Sequence, residues 1–389
     1  MITLKGWRKT VIILGFLLPT LLGVIVFSLY PVLFNVFISF TNRNLSHYRP
    51  PESMLTCSPD DFGTYCWNAP LFGNYARLFG PLMTRASLAA WARLLMLMLP
   101  WLGVYMITRR RGYRTMTAAD TWWVWPLAFA FSYAIWSLAG GQAAINHLMN
   151  SGDFFIVMFR TFLYVALCLP FFVITGGVLA IILSNDHIRA KPLFRTVLIL
   201  PWAVPSYITA KIWQFFFRSE HGTINQVLGI FGIQGPAWLQ TDMLAFGAVV
   251  LINVWLSYPF FMTVIMGGLQ TISRDLYEAA EVDGANWWQQ LRQITIPMLR
   301  PAVMPAIVLS AITTFQMFNT VWLVTDRGGP TRGAGRPGAT EFVMLYAYKQ
   351  FRSQNYGAIS AFSVVVFLLL FGATLLSLRL TRITKGAYE

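Results

Sequence analysis

The sequence predicts an all-α polytopic membrane protein with about eight transmembrane helices. Of its 389 residues 56% are apolar and only 11% are charged, which is about half the charged share of an average soluble domain. The apolar residues form long unbroken runs, and a helix that crosses a bilayer needs about 20 of them. This composition excludes a soluble enzyme and a disordered chain. The unbroken runs argue against a porin-type barrel, whose strands alternate apolar and polar residues.

Eight apolar runs predict the positions of the membrane helices. The predicted spans are 11–31, 87–107, 121–140, 156–183, 196–217, 244–266, 298–324 and 358–378. Lys5, Arg8 and Lys9 precede the first run in the manner of a signal peptide, but the run is longer than a signal core and no small-residue cleavage site closes it. The first run is therefore predicted to be an uncleaved span with a cytoplasmic N-terminus.

The basic residues predict the orientation of the helices. Segments predicted to lie inside carry 16 Lys and Arg residues, whereas the longer outside segments carry 10. The clearest cluster is Arg109–Arg111 with Arg114, between the second and third spans. Because cytoplasmic loops are enriched in Lys and Arg, both termini are predicted to be cytoplasmic. The net charge of +14 is thereby explained by membrane topology, without nucleic acid.

Motifs for nucleotide or metal chemistry are absent from the sequence. It contains no phosphate-binding glycine loop, no dinucleotide fingerprint, no H-E-x-x-H and no C-x-x-C, and its four histidines are widely separated. We therefore predict no catalytic residue and no metal site, and any ATP hydrolysis is expected in another chain. Cys57 and Cys66 share the first outside loop, where an oxidising periplasm permits a possible disulfide. Cys168 is interpreted as a packing residue within a membrane helix.

Three basic residues fall inside predicted spans, where charge is often functional. Arg93 and Arg160 lie near the outside ends of their helices, so we expect both side chains to reach the lipid headgroups. Lys211 lies deeper, and the sequence leaves open whether it is buried in an ion pair or lines a pathway. No acidic residue is predicted deep in any span, which disfavours a proton- or sodium-coupled secondary transporter.

The segment 269–301 is the most informative loop. Ser273 is predicted to cap a short helix, which Asp283-Gly284 ends because glycine adopts the left-handed conformation readily. A second short amphipathic helix is predicted over 286–295, and Pro297 is predicted to open the next membrane helix. The pattern alone allows two interpretations: a hairpin that lies on the lipid surface, or a docking surface for a soluble partner.

The residues of this loop resemble a known family signature. Glu278-Ala279-Ala280, followed by Asp283-Gly284-Ala285 and by Ile294-x-Ile296-Pro297, resembles the EAA loop of binding-protein-dependent ABC importer permeases. Three further blocks match in the same order: Leu200-Pro201-Trp202-Ala203-Val204-Pro205, Asn253-x-Trp255-x-x-Tyr258-Pro259 and Thr325-Asp326-Arg327-Gly328-Gly329-Pro330. The last block resembles the Gly-Gly-Pro outer loop of the sugar subfamily with one extra residue. The whole is similar to the maltose-permease (MalF) type over 11–75 and 153–380.

The resemblance implies a type I ABC importer permease core with an inserted helix pair. We assign residues 1–80 to the N-terminal tail, first helix and outer loop, and 81–150 to the inserted pair. Residues 151–380 form the permease core with the EAA coupling loop at 270–297, and 381–389 form a cytoplasmic tail. Six-span relatives lack the insertion, which is interpreted as a lipid-facing structural appendage rather than a regulatory site.

The same resemblance implies the partners of the chain. The EAA loop of this family seats in a cleft of a separate ATPase subunit, which binds ATP and Mg²⁺, so this chain is expected to be a transport subunit without a cofactor or enzymatic activity. The expected partners are that ATPase dimer, a second and similar permease, a periplasmic or lipid-anchored solute-binding protein and the lipid of the bacterial inner membrane. The implied coupling residues are Glu278, Ala279, Ala280, Asp283, Gly284, Trp287, Leu291 and Pro297.

The resemblance also implies a substrate pocket on the two helices that flank the EAA loop. The positions that match the maltose-type pocket are Asn253, Leu256, Ser257, Phe260, Ser310, Thr313, Thr314 and Met317. The expected solute is a sugar of the maltose, trehalose or oligosaccharide class, although several pocket residues are smaller than in the maltose pocket. Two alternatives stay open: the polar residues pack helix on helix, or the solute is a non-sugar such as glycerol phosphate, for which Lys211 is the sole basic candidate.

Overall fold

The protein is a bundle of long apolar helices. The structure, a computed structural model, describes residues 7–54, 57–60, 62–110, 124–185, 188–331 and 336–381. In these ranges six helices are long and apolar enough to cross a membrane, and a sharply bent helix pair adds a seventh span when it is counted as one. The predicted all-α polytopic fold is confirmed, and the predicted number of about eight spans is approximate.

The helices and strands follow one another in this order. The elements are α1 (Trp7–Val24), α2 (Tyr30–Ser39), β1 (His47–Arg49), β2 (Gly63–Thr64), α3 (Gly73–Phe79), α4 (Arg85–Met96), α5 (Leu99–Arg110), α6 (Val124–Leu138), α7 (Gly141–Ser151), α8 (Asp153–Ser184), α9 (Lys191–Ala203), α10 (Ser206–Phe216), α11 (Thr223–Ile230), α12 (Asp242–Leu269), α13 (Arg274–Val282), α14 (Trp287–Gln290), α15 (Ile296–Phe315), α16 (Asn319–Val324), α17 (Val343–Arg352) and α18 (Tyr356–Thr381). Two π-helical turns, Ile25–Leu29 and Leu291–Thr295, connect α1 to α2 and α14 to α15.

The first compact unit comprises the described residues up to Gly80 together with Ala347–Phe371. Its first helix runs without a break through α1, the π turn and α2, so the predicted end at residue 31 is wrong. Pro31 has no N–H to donate and its ring crowds the preceding turn. The π turn just before it widens the helix, with the Tyr30 N–H donating to the Ile25 carbonyl, and the helix continues past the proline.

A small ordered loop follows the first helix. The short strands β1 and β2 pair in parallel, with His47 opposite Gly63. The sulfur atoms of Cys57 and Cys66 are paired, with their Cα atoms 5.7 Å apart. The loop is thus held by backbone pairing and by this disulfide, whose presence peptide mapping under non-reducing conditions would test.

The second compact unit begins at Pro81 and contains the insertion and most of the core. The insertion consists of two consecutive helix pairs, α4–α5 and α6–α7. Helix α4 packs on α7, and α5 packs on α6. Between the predicted spans 121–140 and 156–183 lies the further helix α7, which buries Ala144 and Leu148 against Ala90 of α4. The start of the predicted span 121–140 lies outside the described residues.

The centre of the second unit is the contact between α8 and α12. Gly176 lets the two helices approach closely, since a Cβ placed there would lie 2.7 Å from the Cβ of Phe261. Phe172, Phe261 and Met262 are fully buried at this contact. The predicted spans 156–183 and 244–266 lie within these two helices, and the predicted last span 358–378 lies within α18.

The predicted span 196–217 is two helices rather than one. Helices α9 and α10 meet at an angle of 91°, because Val204 takes an extended conformation (φ −83°, ψ 131°) before Pro205. A residue that precedes proline is disfavoured in the helical region, so the chain turns at this point. The bend opens the space in which a polar cavity forms.

The boundary between the EAA loop and the following membrane helix also differs from the prediction. The predicted separate helix 286–295 is continuous with the membrane helix from Trp287 to Phe315. The π turn Leu291–Thr295 accommodates Pro297 in the same way as the earlier π turn accommodates its proline. The predicted span 298–324 is divided instead at its other end, where α16 is a separate short helix.

Candidate functional site

The EAA loop is a compact helix-turn-helix at one end of the bundle. The Ser273 hydroxyl accepts a hydrogen bond from the Asp275 N–H at 3.3 Å and caps α13. At the turn Gly284 has φ +79°, and the Ala285 N–H donates to the Ala280 carbonyl at 2.8 Å. This bond pattern closes a helix with a left-handed residue, a position that glycine adopts at little cost.

The outward face of the EAA loop exposes large apolar side chains. Val282 is 88% exposed, Trp287 63% and Trp288 61%. Asn286 and Gln289 form a reciprocal capping box at the start of α14, which fixes the direction in which the two tryptophans project. In the same loop Glu278 is also exposed. Large exposed apolar side chains are typical of an interaction surface when they form one patch.

The opposite face of the EAA loop rests on the helix bundle. The Tyr277 hydroxyl lies 2.9 Å from the Thr295 hydroxyl, which ties α13 to the π turn. Leu291 and Thr295 line a cavity of about 240 Å³ that also contacts the end of α8 at Ser184 and Asn185. The loop therefore contacts both the end of α8 and the π turn that leads into α15.

The predicted coupling residues divide between these two faces. Glu278, Ala279, Asp283 and Gly284 lie on the exposed side. Trp287 is also exposed, but it borders the cavity of about 240 Å³ on the bundle side together with Leu291. Ala280 and Leu291 are half-buried, and Pro297 is exposed in the first turn of α15. The structure brings these residues together in one loop, although Leu291 faces the bundle rather than the outward surface.

A cavity of about 550 Å³ opens where α9 bends into α10. It is bordered by α12, by the end of α15 and by the start of α16. Of the eight predicted substrate-lining residues, five border it: Asn253, Leu256, Ser257, Thr313 and Met317. Ser310 and Thr314 are buried within α15 instead, and Phe260 approaches the cavity indirectly, with its ring centroid 6.1 Å from that of Trp202.

Asn253 borders this cavity and is otherwise fully buried. Its amide nitrogen donates to Cys168 Sγ at 3.7 Å, and its amide oxygen accepts from the Ser257 hydroxyl at 3.4 Å. Asn253 therefore joins α12 to α8 and also orients Ser257, which borders the cavity. This position combines helix packing with support of the cavity lining.

Several cavity residues escaped the sequence prediction. Trp202, Ser206, Gln316, Asn319 and Thr320 line the cavity, and the buried Thr320 hydroxyl has no hydrogen-bond partner in the described part of the protein. The available signal was Pro205, because a proline in the middle of an apolar run indicates a break that brings neighbouring residues to the cavity.

At the other end of α15 and α16, the Gly-Gly-Pro loop (described residues of 325–342) is held by buried polar groups. The Arg160 guanidinium is 7% exposed and donates to the carbonyls of Pro337 and Gly338. The prediction that Arg160 reaches the lipid headgroups is therefore wrong. It failed because loop carbonyls that have no helical partner lie within reach and accept its N–H groups.

Two further contacts hold the Gly-Gly-Pro loop. The hydroxyls of Thr325 and Thr340 lie 2.7 Å apart, and the Glu341 carboxylate accepts from the Gly338 N–H at 3.1 Å. Lys211, by contrast, is exposed and donates to the Gln214 side chain at 2.9 Å. Among the described residues, no group of His, Cys, Asp and Glu side chains could hold a metal ion.

A bundle of membrane-length helices around a polar cavity, with an exposed helix-turn-helix at one end, defines the class of multi-pass membrane permeases. A model of the family described as "Binding-protein-dependent transport system inner membrane component" matches residues 176–384, which is more than half of the chain. The chain belongs to this family. It is therefore a transport subunit of an inner-membrane system.

Similar curated proteins are sugar permeases by name. The trehalose/maltose transport system permease protein MalF of Thermococcus litoralis is 31% identical over 238 residues, which cover 61% of this chain and 78% of that protein. The maltose/maltodextrin transport system permease protein MalF of Vibrio cholerae is 35% identical over 239 residues, or 60% of this chain. The matched region spans only 45% of the length of the Vibrio protein.

Solved structures share the fold. A chain of a bacterial ABC transporter that imports the acidic polysaccharide alginate superposes with a TM-score of 0.53 at 20% identity, covering 61% of this chain and 82% of the other. A second alginate transporter structure, in complex with a periplasmic protein bound to an alginate pentasaccharide, gives a TM-score of 0.52 at 19% identity and covers 72% and 94%. The helix arrangement is thus that of a known importer permease.

Proposed function

We propose that this chain is the sugar-translocating permease subunit of an ATP-driven importer. The observation that carries the proposal is the cavity at the bend between α9 and α10. Its lining combines the aromatic side chains Trp202 and Phe318 with the amides of Gln316 and Asn319. A sugar requires this combination, because its ring faces are apolar while its hydroxyl groups need directed hydrogen bonds.

The chemistry of the cavity favours a neutral sugar over a phosphorylated solute. No lysine or arginine is among the described residues that line it, whereas a phosphate group is normally bound by basic side chains. Lys211, the sole basic candidate from the sequence, is exposed and bonded to Gln214. The names of the relatives, which specify trehalose, maltose and maltodextrin, point to the same class of solute.

The EAA loop is proposed to dock in the ATPase subunit. The exposed side chains of Val282, Trp287 and Trp288 would fill an apolar cleft, and the Glu278 carboxylate would pair with a basic residue of that cleft. ATP and Mg²⁺ would be bound by the ATPase dimer alone, with no cofactor in this chain. A second, similar permease would complete the pathway, and a periplasmic or lipid-anchored binding protein would deliver the sugar.

The proposed orientation places both termini and the EAA loop in the cytoplasm. The excess of Lys and Arg in the corresponding segments supports it. The Gly-Gly-Pro loop, which lies at the other end of α15 and α16, then faces the periplasm. The sugar would arrive from that side and leave past α13, as the ATPase subunits alternately close on ATP and separate.

Transport by the reconstituted complex tests the proposal. The tagged full-length chain is purified with its partners from the native membrane and placed in proteoliposomes, with the binding protein on the side of the Gly-Gly-Pro loop and ATP on the opposite side. We expect ATP-dependent uptake of radiolabelled maltose, trehalose or a malto-oligosaccharide. ATP-dependent uptake of glycerol phosphate instead would overturn the sugar assignment, and uptake driven by an ion gradient without ATP would overturn the importer assignment.

Substitutions in the cavity identify its role in the same assay. Asn319→Leu removes an amide that opens into the cavity, and Asn253→Ala removes the buried amide that supports Ser257. Both are expected to lower sugar uptake by about tenfold, which corresponds to one or two lost hydrogen bonds. The matched control is Asn146→Leu, on the exposed surface of α7, which should leave uptake unchanged. Wild-type rates in both cavity variants would remove the cavity from the pathway.

A further inference from the structure

A second polar cavity, of about 690 Å³, lies between the end of α10 and the Gly-Gly-Pro loop. It is lined by Gln214, Arg218, Gln240 and Asp326, among others, and shares no lining residue with the cavity at the α9–α10 bend. We propose that this outer cavity is a second sugar subsite, which holds the outer end of an oligosaccharide while its inner end occupies the first cavity. The inference rests on the proposed function of sugar import.

The lining of the outer cavity suits sugar hydroxyl groups. The side-chain amides of Gln214 and Gln240 each offer donors and an acceptor, the Asp326 carboxylate offers acceptors and the Arg218 guanidinium offers donors. Leu239 adds an apolar surface. The lining contains Arg218 together with Glu220 and Asp326, so carboxylates outnumber the guanidinium. An anionic ligand is therefore disfavoured, whereas the hydroxyl groups of a neutral sugar can bond to groups of either charge.

The two cavities lie along one pair of helices. Helix α10 contributes Ser206 to the inner cavity and Gln214 to the outer one, and α16 contributes Thr320 to the inner and Val324 to the outer. Helices α10 and α16 pack on each other. At 1.5 Å per residue, the two lining positions on α10 are about 12 Å apart along the helix. An extended oligosaccharide can bridge this distance, whereas a disaccharide in the inner cavity would leave the outer one empty.

The backbone at the edge of the outer cavity is held in an unfavourable conformation. Asp326 and Arg327 have φ of +44° and +70°, and two glycines with positive φ follow them. Consecutive non-glycine residues in this region are uncommon. Hydrogen bonds from the Arg327 N–H to the Trp322 carbonyl (3.1 Å) and from the Gly329 N–H to the Thr325 carbonyl (2.7 Å) hold the turn.

Such strain persists where the surrounding structure determines it, and it is concentrated at ligand sites. Here the turn places Asp326 at the edge of the outer cavity, in agreement with the argument from the residues that line it.

The test compares sugars of different length in the proteoliposome uptake assay. The double variant Gln214→Leu/Gln240→Leu removes two hydrogen-bonding groups from the outer cavity and leaves the inner cavity unaltered. We expect uptake of a glucose tetrasaccharide at subsaturating concentration to fall by about tenfold or more, whereas uptake of the disaccharide falls by less than twofold. Gln142→Leu, an exposed glutamine on α7, is the matched control and should leave both rates unchanged.

The remaining outcomes separate this inference from the proposed function. Equal losses for both sugars, accompanied by weaker stimulation of ATPase activity by the binding protein, would make the outer cavity a docking surface for that protein and overturn the subsite. Unchanged uptake of the tetrasaccharide would also overturn it. If the wild-type complex transported neither sugar, the proposed function itself would fail, which is a different result from a wild-type complex that transports both.

Discussion

The EAA loop and the Gly-Gly-Pro loop lie at opposite ends of the same helix, α15, and are built on different principles. The EAA loop is a simple helix-turn-helix with its tryptophans exposed and a glycine turn that has open space around it. The Gly-Gly-Pro loop is buried over residues 337–342, and Arg160, Thr325 and Glu341 form hydrogen bonds that hold it. The exposed surface of the first loop is available to the ATPase subunit proposed above, whereas the second loop is held by hydrogen bonds within its own chain.

The largest expected effect is loss of transport from changes in the EAA loop. Gly284→Asp places a side chain at φ +79°, and Glu278→Lys reverses an exposed charge. Both are expected to abolish ATP-driven uptake while membrane insertion stays intact, because the exposed face is proposed to contact the ATPase subunit rather than this chain. The measurement is sugar uptake together with the yield of membrane-inserted protein.

Gly232→Asp is the matched control for this prediction. Gly232 also has a positive φ, ends a helix through the same bond pattern and has open space around it. The backbone cost, about 1 kcal/mol, is therefore the same at both positions. Equal uptake by the two glycine variants would show that the EAA turn has no special role. Normal uptake in Glu278→Lys would show that transport does not need the proposed charge pair between Glu278 and the ATPase cleft.

The second effect is expected in stability, at the other loop. Arg160→Met removes two hydrogen bonds from a buried charged group to the carbonyls of Pro337 and Gly338, and should lower the free energy of unfolding in detergent by about 3 kcal/mol. Arg93→Met changes an exposed arginine and should cost less than about 0.5 kcal/mol. Similar thermal unfolding of the two variants would contradict the internal fixation of the Gly-Gly-Pro loop.

A pair of glycine substitutions compares crowding in the two loops. In Gly338→Ala the new Cβ would collide with the carbonyl of Gly328, whereas in Gly284→Ala it meets nothing within 4 Å. We expect the first change to destabilise the protein by about 2 kcal/mol through overpacking, and the second to cost about 1 kcal/mol through its backbone alone. Thermal unfolding monitored by tryptophan fluorescence measures both, and a reversed order would refute the contrast.

The smallest effect concerns the hydroxyl pair of Thr325 and Thr340. Thr325→Val removes one hydroxyl with little change of shape and leaves the other without its partner at 2.7 Å, at an expected cost of about 1–2 kcal/mol. The double change to valine should be less destabilising than the sum of the two single changes, since no buried hydroxyl is then left alone. Strict additivity in a double-mutant cycle would show that the pair is not coupled.

The same contrast explains how much the sequence could predict. The turn at Gly284 and the cap at Ser273 depend on residues next to each other in the chain, and both were predicted. The role of Arg160 depends on carbonyls almost 180 residues away, and a single apolar run carries no information about them. The prediction therefore placed Arg160 at the lipid surface.

The helix breaks follow the same rule. The bend at Val204–Pro205 is a local consequence of proline. The apolar residues continue across it, however, and their unbroken run predicts a single span. The π turns allow the helix to continue through Pro31 and Pro297. Unlike a helix cap, a π turn has no characteristic residue that would reveal it in the sequence. The cavity residues that the prediction missed lie at such breaks, so an error in the helix boundary became an error in the site.

The most direct test of the central claim is a cross-link from the exposed face of the EAA loop. A photoreactive amino acid replaces Trp288 in the full-length chain in its native membrane, and the cross-linked peptides are identified by mass spectrometry. We predict a cross-link to a subunit that carries a phosphate-binding glycine loop for ATP, and none from the same probe placed at Gln142 on α7. Cross-links from position 288 to lipid alone would contradict the account, because the loop would then lie on the membrane surface rather than in an ATPase.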